Sequence, residues 1–362
     1  MNKILVISNM YPSKRSKTYG IFVKNQVEQL REKGLDVDVL AINDPRRGKF
    51  HTIKKHLFWF MKAFYYFVFK GKKYDIIHAH YIFPSGWLAL LFQKFYKTKI
   101  IVTSHGGDID QMAKKGEFIS RQTKNILEKA DGIIAVGEQL KQEMIEQFSV
   151  KTEKITVLNM GVNRRVFKPQ SKQKAKQELN LDEQRKHILF VGNIIRAKGV
   201  LELLDAHKHL QEQFSNLSLH IIGSVADSSF KEQVDQKIND EKISNVYIYY
   251  PMSQEQLALW MSAADLFVLP SHIEGFGLVA LEAMSTNTPV VGTKVGGLKY
   301  LLKDGHGILV EPENAKSLTE GIKQVLTDDK LQQKLITKGE QRAEQNSQEV
   351  IISQLIALYD KV

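Results

Sequence analysis

Short apolar runs alternate with amphipathic stretches along the whole chain. Runs rich in β-branched residues at 4–8, 37–42, 76–78, 100–104, 133–136 and 155–158 read as strands, and helical spacing fills intervening segments at 20–33, 84–95 and 138–148. Continuous apolar strands suit a parallel sheet covered on both faces. A polar stretch at 170–186 interrupts the series, which restarts with strands at 188–191, 219–222, 246–248, 266–269 and 290–291. Three more helical segments, at 315–326, 330–344 and 348–359, close the chain. The predicted fold class is α/β, with two doubly wound, Rossmann-like parallel-sheet domains over 1–165 and 166–345. The closing helix, at 346–362, can pack back onto the first domain. Ligands of such sheets bind beyond the carboxyl ends of the strands, so a ligand shared by both domains is expected in a cleft between them.

Charge changes this picture in one half only. The chain of 362 residues carries a net charge of +11. Residues 1–165 hold 29 Lys/Arg against 15 Asp/Glu, and residues 166–362 hold 22 against 25. The basic surplus of the first half suggests attraction to an anionic surface. Residues 49–73 concentrate it, with seven lysines, two histidines and no acid around an aromatic-rich centre, Leu57 to Phe69. That centre is too short to span a bilayer. It fits a helix lying in the membrane interface, and equally a crossover helix whose aromatics are core. There is no cysteine, which excludes disulfides, thiol nucleophiles and zinc–thiolate sites. The N-terminus enters a strand directly and lacks the pattern of a secretory leader, so a cytoplasmic protein at the inner face of the membrane is expected.

The densest chemistry lies in Glu274-Gly275-Phe276-Gly277-Leu278-Val279-Ala280-Leu281-Glu282, after the apolar run that ends at Pro270. Two glycines at a helix start leave backbone N–H groups bare, which makes an anion site. Glu274 stands at its mouth and Glu282 about two turns along. A phosphate cradle beside two hydroxyl-accepting carboxylates suits a nucleotide sugar. A capped helix with two solvent-facing glutamates would carry the same letters. Elsewhere, Gly20 opens the first helix after the loop bearing Lys14, Arg15 and Lys17. Ser104-His105-Gly106-Gly107-Asp108 follows a strand directly. Arg196 and Lys198 stand at a helix start, where cations oppose the helix dipole and need another reason to be present.

Together these features resemble the retaining glycosyltransferases of the GT-B fold, family 4, over essentially the whole chain and in the expected order. The resemblance implies that Gly20, Arg196, Lys198, Glu274, Phe276, Gly277, Leu278 and Glu282 bind the donor. It implies that His105 contacts the transferred sugar and that Lys198 neutralises the leaving phosphate. Glu274 would grip the sugar, Glu282 the ribose, and Asp108 would orient the acceptor hydroxyl or His105. Asn159-Met160-Gly161-Val162-Asn163 and Phe167-Lys168-Pro169 resemble the family's interdomain hinge. Three departures stand out: Asn193 where an arginine is usual, Asn163 where an aspartate is common, and Tyr250 near a usual glycine of the base pocket.

The implied reaction moves a hexose from a nucleoside diphosphate to a lipid-linked or glycan acceptor in cell-surface polysaccharide or glycolipid synthesis, with no cofactor and no nucleic-acid partner. The Asp36–Asp38 and Asp108–Asp110 pairs lack evident further ligands, so no metal is expected. A nucleotide-sugar epimerase of the same architecture, or a non-catalytic basic protein of the membrane surface, are the alternatives.

Overall fold

The computed structural model describes residues 3–13, 16, 19–46, 48–225 and 227–362, with only the backbone of Asp110 and Gln111. Lys14, Arg15 and Lys17 lie outside the described residues. The chain divides into two compact units, Met1–Gly161 with Gln348–Val362, and Val162–Ser347.

In the first unit β1 (Lys3–Ser8), α1 (Ile21–Glu32), β2 (Asp36–Ala41), α2 (Lys49–Lys70), β3 (Ile76–His80), α3 (Trp87–Tyr96), β4 (Lys99–Ser104), α4 (Glu117–Lys129), β5 (Gly132–Ala135), α5 (Glu138–Phe148) and β6 (Ile155–Val157) follow in order. The sheet runs β2-β1-β3-β4-β5-β6, and every pairing is parallel. The buried runs of β1, β3 and β4 explain this, since both faces must be covered by helices.

The second unit holds α6 (Lys172–Glu178), β7 (Lys186–Val191), α7 (Val200–Gln211), β8 (Leu217–Ile222), α8 (Ser228–Asp240), β9 (Val246–Tyr249), α9 (Gln254–Ala263) and β10 (Leu266–Leu269). It continues with α10 (Leu278–Ser285), β11 (Val290–Thr293), α11 (Gly296–Leu302), β12 (Ile308–Val310), α12 (Ala315–Thr327) and α13 (Asp329–Gln345). Its sheet, β12-β11-β10-β7-β8-β9, is also parallel throughout. The order reverses between β7 and β10, which makes the loops after these strands the natural ligand-binding crevice. The last helix, α14 (Gln348–Lys361), belongs to the first unit, where Ile351, Ile352, Leu355 and Tyr359 join the core of β1, β3 and α1.

Two elements differ from the sequence reading. The polar stretch 170–186 contains α6, capped by the Ser171 hydroxyl. Its Lys176 is buried and pairs with Asp265 at 3.0 Å, so a helix forms where composition suggested only a spacer. Strand β12 is three residues long and was not anticipated, because so short a run has no readable period.

His78, His207 and His220 are buried, and enclosure pushes their pKa values down to about 3, 4 and 3. Unfolded, each titrates near 6.5. Below that pH the unfolded chain binds protons that the folded chain refuses, so stability falls as acid is added. Each group contributes a loss approaching about 1.4 kcal/mol per pH unit. The urea midpoint is therefore expected to drop between pH 7.5 and pH 5, and His220→Gln to narrow that drop. Identical midpoints at the two pH values would contradict it.

Candidate active site

In the second unit, two loops at the β7/β10 crevice are locked together by backbone contact. Gly199 follows the short 3-10 turn Arg196–Lys198 with φ +68°, and a Cβ there would stand 2.0 Å from the Pro270 carbonyl oxygen. The His272 N–H donates to the Ala197 carbonyl at 2.9 Å. This register carries the Lys198 ammonium to 2.6 Å from Glu274 Oε2. The Ser271 hydroxyl donates to the same oxygen at 3.3 Å, and Thr293 Oγ1 donates to the Ser271 carbonyl at 2.5 Å.

The Glu274 backbone is fixed from the other side. The Gly297 N–H donates to its carbonyl at 3.0 Å. A Cβ on Gly296 would stand 1.8 Å from that carbonyl oxygen, and one on Gly297 would stand 2.3 Å from the oxygen of Gly275. Only glycines allow α11 to begin this close. Gly277, with φ +88°, then turns the chain into α10 and has no side chain to cap its first turn. Phe276 and Leu278 flank it, half-buried against the unit's core. Bare N–H groups at such a helix start attract anions.

Glu282 lies one turn inside α10 rather than two, because the helix begins only at Leu278. It is buried, and burial alone pushes its pKa up to about 8. Arg196 takes another direction: it donates to Gln233 at 2.9 Å and its guanidinium sits 5.7 Å from the Phe230 ring centroid. At the end of β9, Tyr249 packs inward on Trp260 while Tyr250 is 86% exposed and offers a free aromatic face.

In the first unit, Gly20 opens α1 with φ +69°; a Cβ would stand 2.6 Å from the Met10 carbonyl. Gly20 has no side chain to cap this helix start either. The next turn brings the Phe22 ring 4.9 Å from that of His105. His105 also packs on Tyr81 at 4.7 Å and on His80 at 5.4 Å, nearly parallel to the latter. Its Nε2 stands 3.1 Å from His80 Nδ1. Enclosure, with a smaller push from His78, drives its pKa down to about 3, so the ring is neutral at physiological pH.

Asp108 is buried and fully engaged. Oδ1 accepts from the Ser104 hydroxyl at 2.7 Å and from the N–H groups of Gly106 and His105 at 3.1 and 3.2 Å. Oδ2 accepts from the Ile82 N–H at 3.0 Å. The carboxylate ties the loop after β4 to the loop after β3 and so fixes the backbone of His105.

Among the described residues, no group of three or more His, Asp or Glu side chains could hold a metal. Asp36 pairs with Lys3 at 2.7 Å and Asp38 accepts from the Tyr74 hydroxyl at 2.7 Å. The Asp110 side chain lies outside the described residues. The sequence reading overlooked His80, Tyr81, Ser271, Thr293 and the Gly296-Gly297 pair. His78-Ala79-His80 on a strand was the available signal, since alternate residues share one face.

Residues 171–342 match the glycosyl transferases group 1 model, and residues 20–166 match glycosyltransferase family 4. The chain belongs to this family of glycosyltransferases. A putative teichuronic acid biosynthesis glycosyltransferase of Bacillus subtilis is 25% identical over 88% of each chain. Among solved structures, sucrose-phosphate synthase from Thermosynechococcus elongatus shares the GT-B fold, with a TM-score of 0.81 at 24% identity over 99% of this chain and 98% of that one. So does Anabaena HepE in complex with UDP-glucose, with a TM-score of 0.79 at 18% identity over the full length of both chains.

In this glycosyltransferase the raised pKa of Glu282 works against stability. An acid near 4.5 when unfolded and near 8 when folded keeps its proton only in the native state. Its contribution is therefore best below pH 4.5 and declines as pH rises toward 8. Glu282→Gln removes the effect. The variant is expected to have a higher urea midpoint than the parent at pH 8, with a much smaller gain at pH 5; equal shifts at both would refute a buried, unpaired carboxyl.

Proposed function

We propose that this glycosyltransferase transfers a hexose, with retained anomeric configuration and without a metal, from a nucleoside diphosphate to a hydroxyl of a lipid-linked or otherwise membrane-held acceptor. The observation that carries the donor reading is Glu282: a buried carboxyl with no charged partner among the described residues, one turn inside a helix that begins after Gly277 and whose mouth holds the Lys198–Glu274 pair. The nucleotide complexes of HepE with UDP and UDP-glucose support a donor of this class.

In this reading the second unit binds the donor and the first the acceptor. The bond between the anomeric carbon and the β-phosphate oxygen breaks, and the acceptor oxygen attacks the same face. The departing phosphate oxygen takes the acceptor's proton. Lys198 and the N–H groups after Gly277 stabilise the charge that builds on the diphosphate. Arg196 adds long-range positive charge. Glu282 accepts from the ribose hydroxyls, Glu274 from those of the hexose, and His105 contacts the same sugar. Asp108 acts through the backbone of His105 as a positioning residue. Gly20 leaves the start of α1 open to the donor.

The membrane part of the reading rests on α2. Of its 22 residues only Trp59 and Ala63 are buried. Phe50, Ile53, Leu57, Phe58, Met61 and Phe64 are each at least 60% exposed. They form an outward apolar ridge, and lysines 54, 62, 72 and 73 flank it in exposed positions. An apolar face between cations suits an anionic bilayer surface. No helix among the described residues is long and apolar enough to cross a membrane. The proposed location is accordingly peripheral, at the inner face of the cell membrane.

Screening the purified protein against UDP-, GDP- and ADP-sugars tests the donor. Lys198→Ala and Glu282→Ala are each expected to cut transfer by about 100-fold or more with unchanged circular dichroism; full turnover in both would reject the assignment. Flotation tests the surface. Anionic vesicles at low salt should carry the protein upward, neutral ones should not, and Leu57→Glu with Phe64→Glu should release it. Protein left in solution with anionic vesicles would refute the membrane reading.

A further inference from the structure

His80 is the last residue of β3 and is wholly buried. Its ring stacks on His78 at 4.4 Å and on His105 at 5.4 Å. His78 is itself saturated: Nδ1 meets the Tyr359 hydroxyl at 2.7 Å and Nε2 meets Thr103 Oγ1 at 2.6 Å. Among the described residues the His80 ring has one polar contact, Nδ1 to His105 Nε2 at 3.1 Å. Its Nε2 is buried and has no partner among the described residues.

Two neutral imidazoles facing each other at this distance share a single proton, which sits on one nitrogen or the other. If His105 Nε2 carries it, neutral His80 must carry its own proton on Nε2, as a buried N–H with no acceptor. If His80 Nδ1 carries it, His80 Nε2 is a bare lone pair. An orphaned buried donor is the rarer fault in folded proteins. It also forfeits the full desolvation term of an unmade hydrogen bond. The second arrangement is therefore favoured, and it leaves His105 protonated on Nδ1. That nitrogen makes no hydrogen bond with any described residue, and His105 is only half-buried.

We infer that His80 is a positioning residue that fixes His105 as its Nδ1–H tautomer, so that His105 offers the substrate a hydrogen-bond donor and not a base. The inference rests on the proposed role of His105 at the transferred sugar. It narrows that role: the group His105 meets must accept a hydrogen bond, as a sugar hydroxyl or ring oxygen does.

The test uses the full-length protein labelled with 15N at histidine. Long-range 1H–15N spectra, with His105 assigned from its loss in His105→Gln, are expected to show His105 protonated at Nδ1 and bare at Nε2. A proton on Nε2 would overturn the inference without any activity assay. Next, His80→Leu should lower kcat about tenfold or more with little change in nucleoside diphosphate affinity. His80→Asn keeps an amide N–H near the place of Nδ1 and should recover most of the rate and the Nδ1–H signal. Unchanged kcat in His80→Leu would refute the positioning role. If the wild-type protein transfers no sugar from any donor, the functional reading fails while the spectra still decide the tautomer.

Discussion

The candidate site of the second unit depends on one close approach, the seating of Gly199 against the Pro270 carbonyl. Any side chain at 199 would drive the β7 and β10 loops apart. With glycine there, the loops share a register and the Lys198 ammonium lands on Glu274. Gly296 and Gly297 repeat the device on the far side of Glu274. The carboxylate is thus held by backbone packing on both flanks rather than by the ion pair. A part-exposed pair of this kind contributes on the order of 1 kcal/mol at most, which is too little to define a loop.

The first unit reaches the same end with hydrogen bonds. Asp108 gathers four donors from two loops, so a buried carboxylate does there what glycine contacts do in the second unit. The neutral histidines follow from the same enclosure. Burial holds His78 and His105 far below ordinary values, since a charged ring in that stack would lose its hydration.

Much of this was legible in the chain. Alternating apolar runs gave the two parallel sheets, because strands buried on both faces read as continuous β-branched segments. Glu274, Gly277, Lys198 and His105 were legible because each sits at a strand's carboxyl end or a helix start, where sequence order fixes position; Glu282 was placed on the right helix but a turn too far along it. Three things were not. Arg196 lies two residues from Lys198, yet the 3-10 turn swings it toward Gln233, and spacing alone cannot show that direction. The outward face of α2 could not be told from core, since aromatic residues occur all round the helix and only the packing chooses the buried side. Asp108 could have oriented either the acceptor hydroxyl or His105, and only its four donors show it bound to the backbone of His105.

The protonation states join these observations. At neutral pH Glu282 retains its proton, His105 lacks one, and Lys198 and Glu274 cancel each other. Apart from the Asp108 carboxylate, which four hydrogen-bond donors hold, these groups leave no uncompensated buried charge, which a low-dielectric interior would penalise heavily. On the proposed reading an anionic donor would change each term. The diphosphate would compete with Glu274 for Lys198, and the hexose hydroxyls would supply the freed carboxylate with new donors. Ribose hydroxyls would do the same for Glu282 and favour its ionised form. A bare diphosphate would satisfy the cation and leave Glu274 with the Ser271 hydroxyl alone; a bare sugar would satisfy the carboxylate and leave Lys198 without its counter-charge. On that reading the ion pair would favour an intact nucleotide sugar over its fragments.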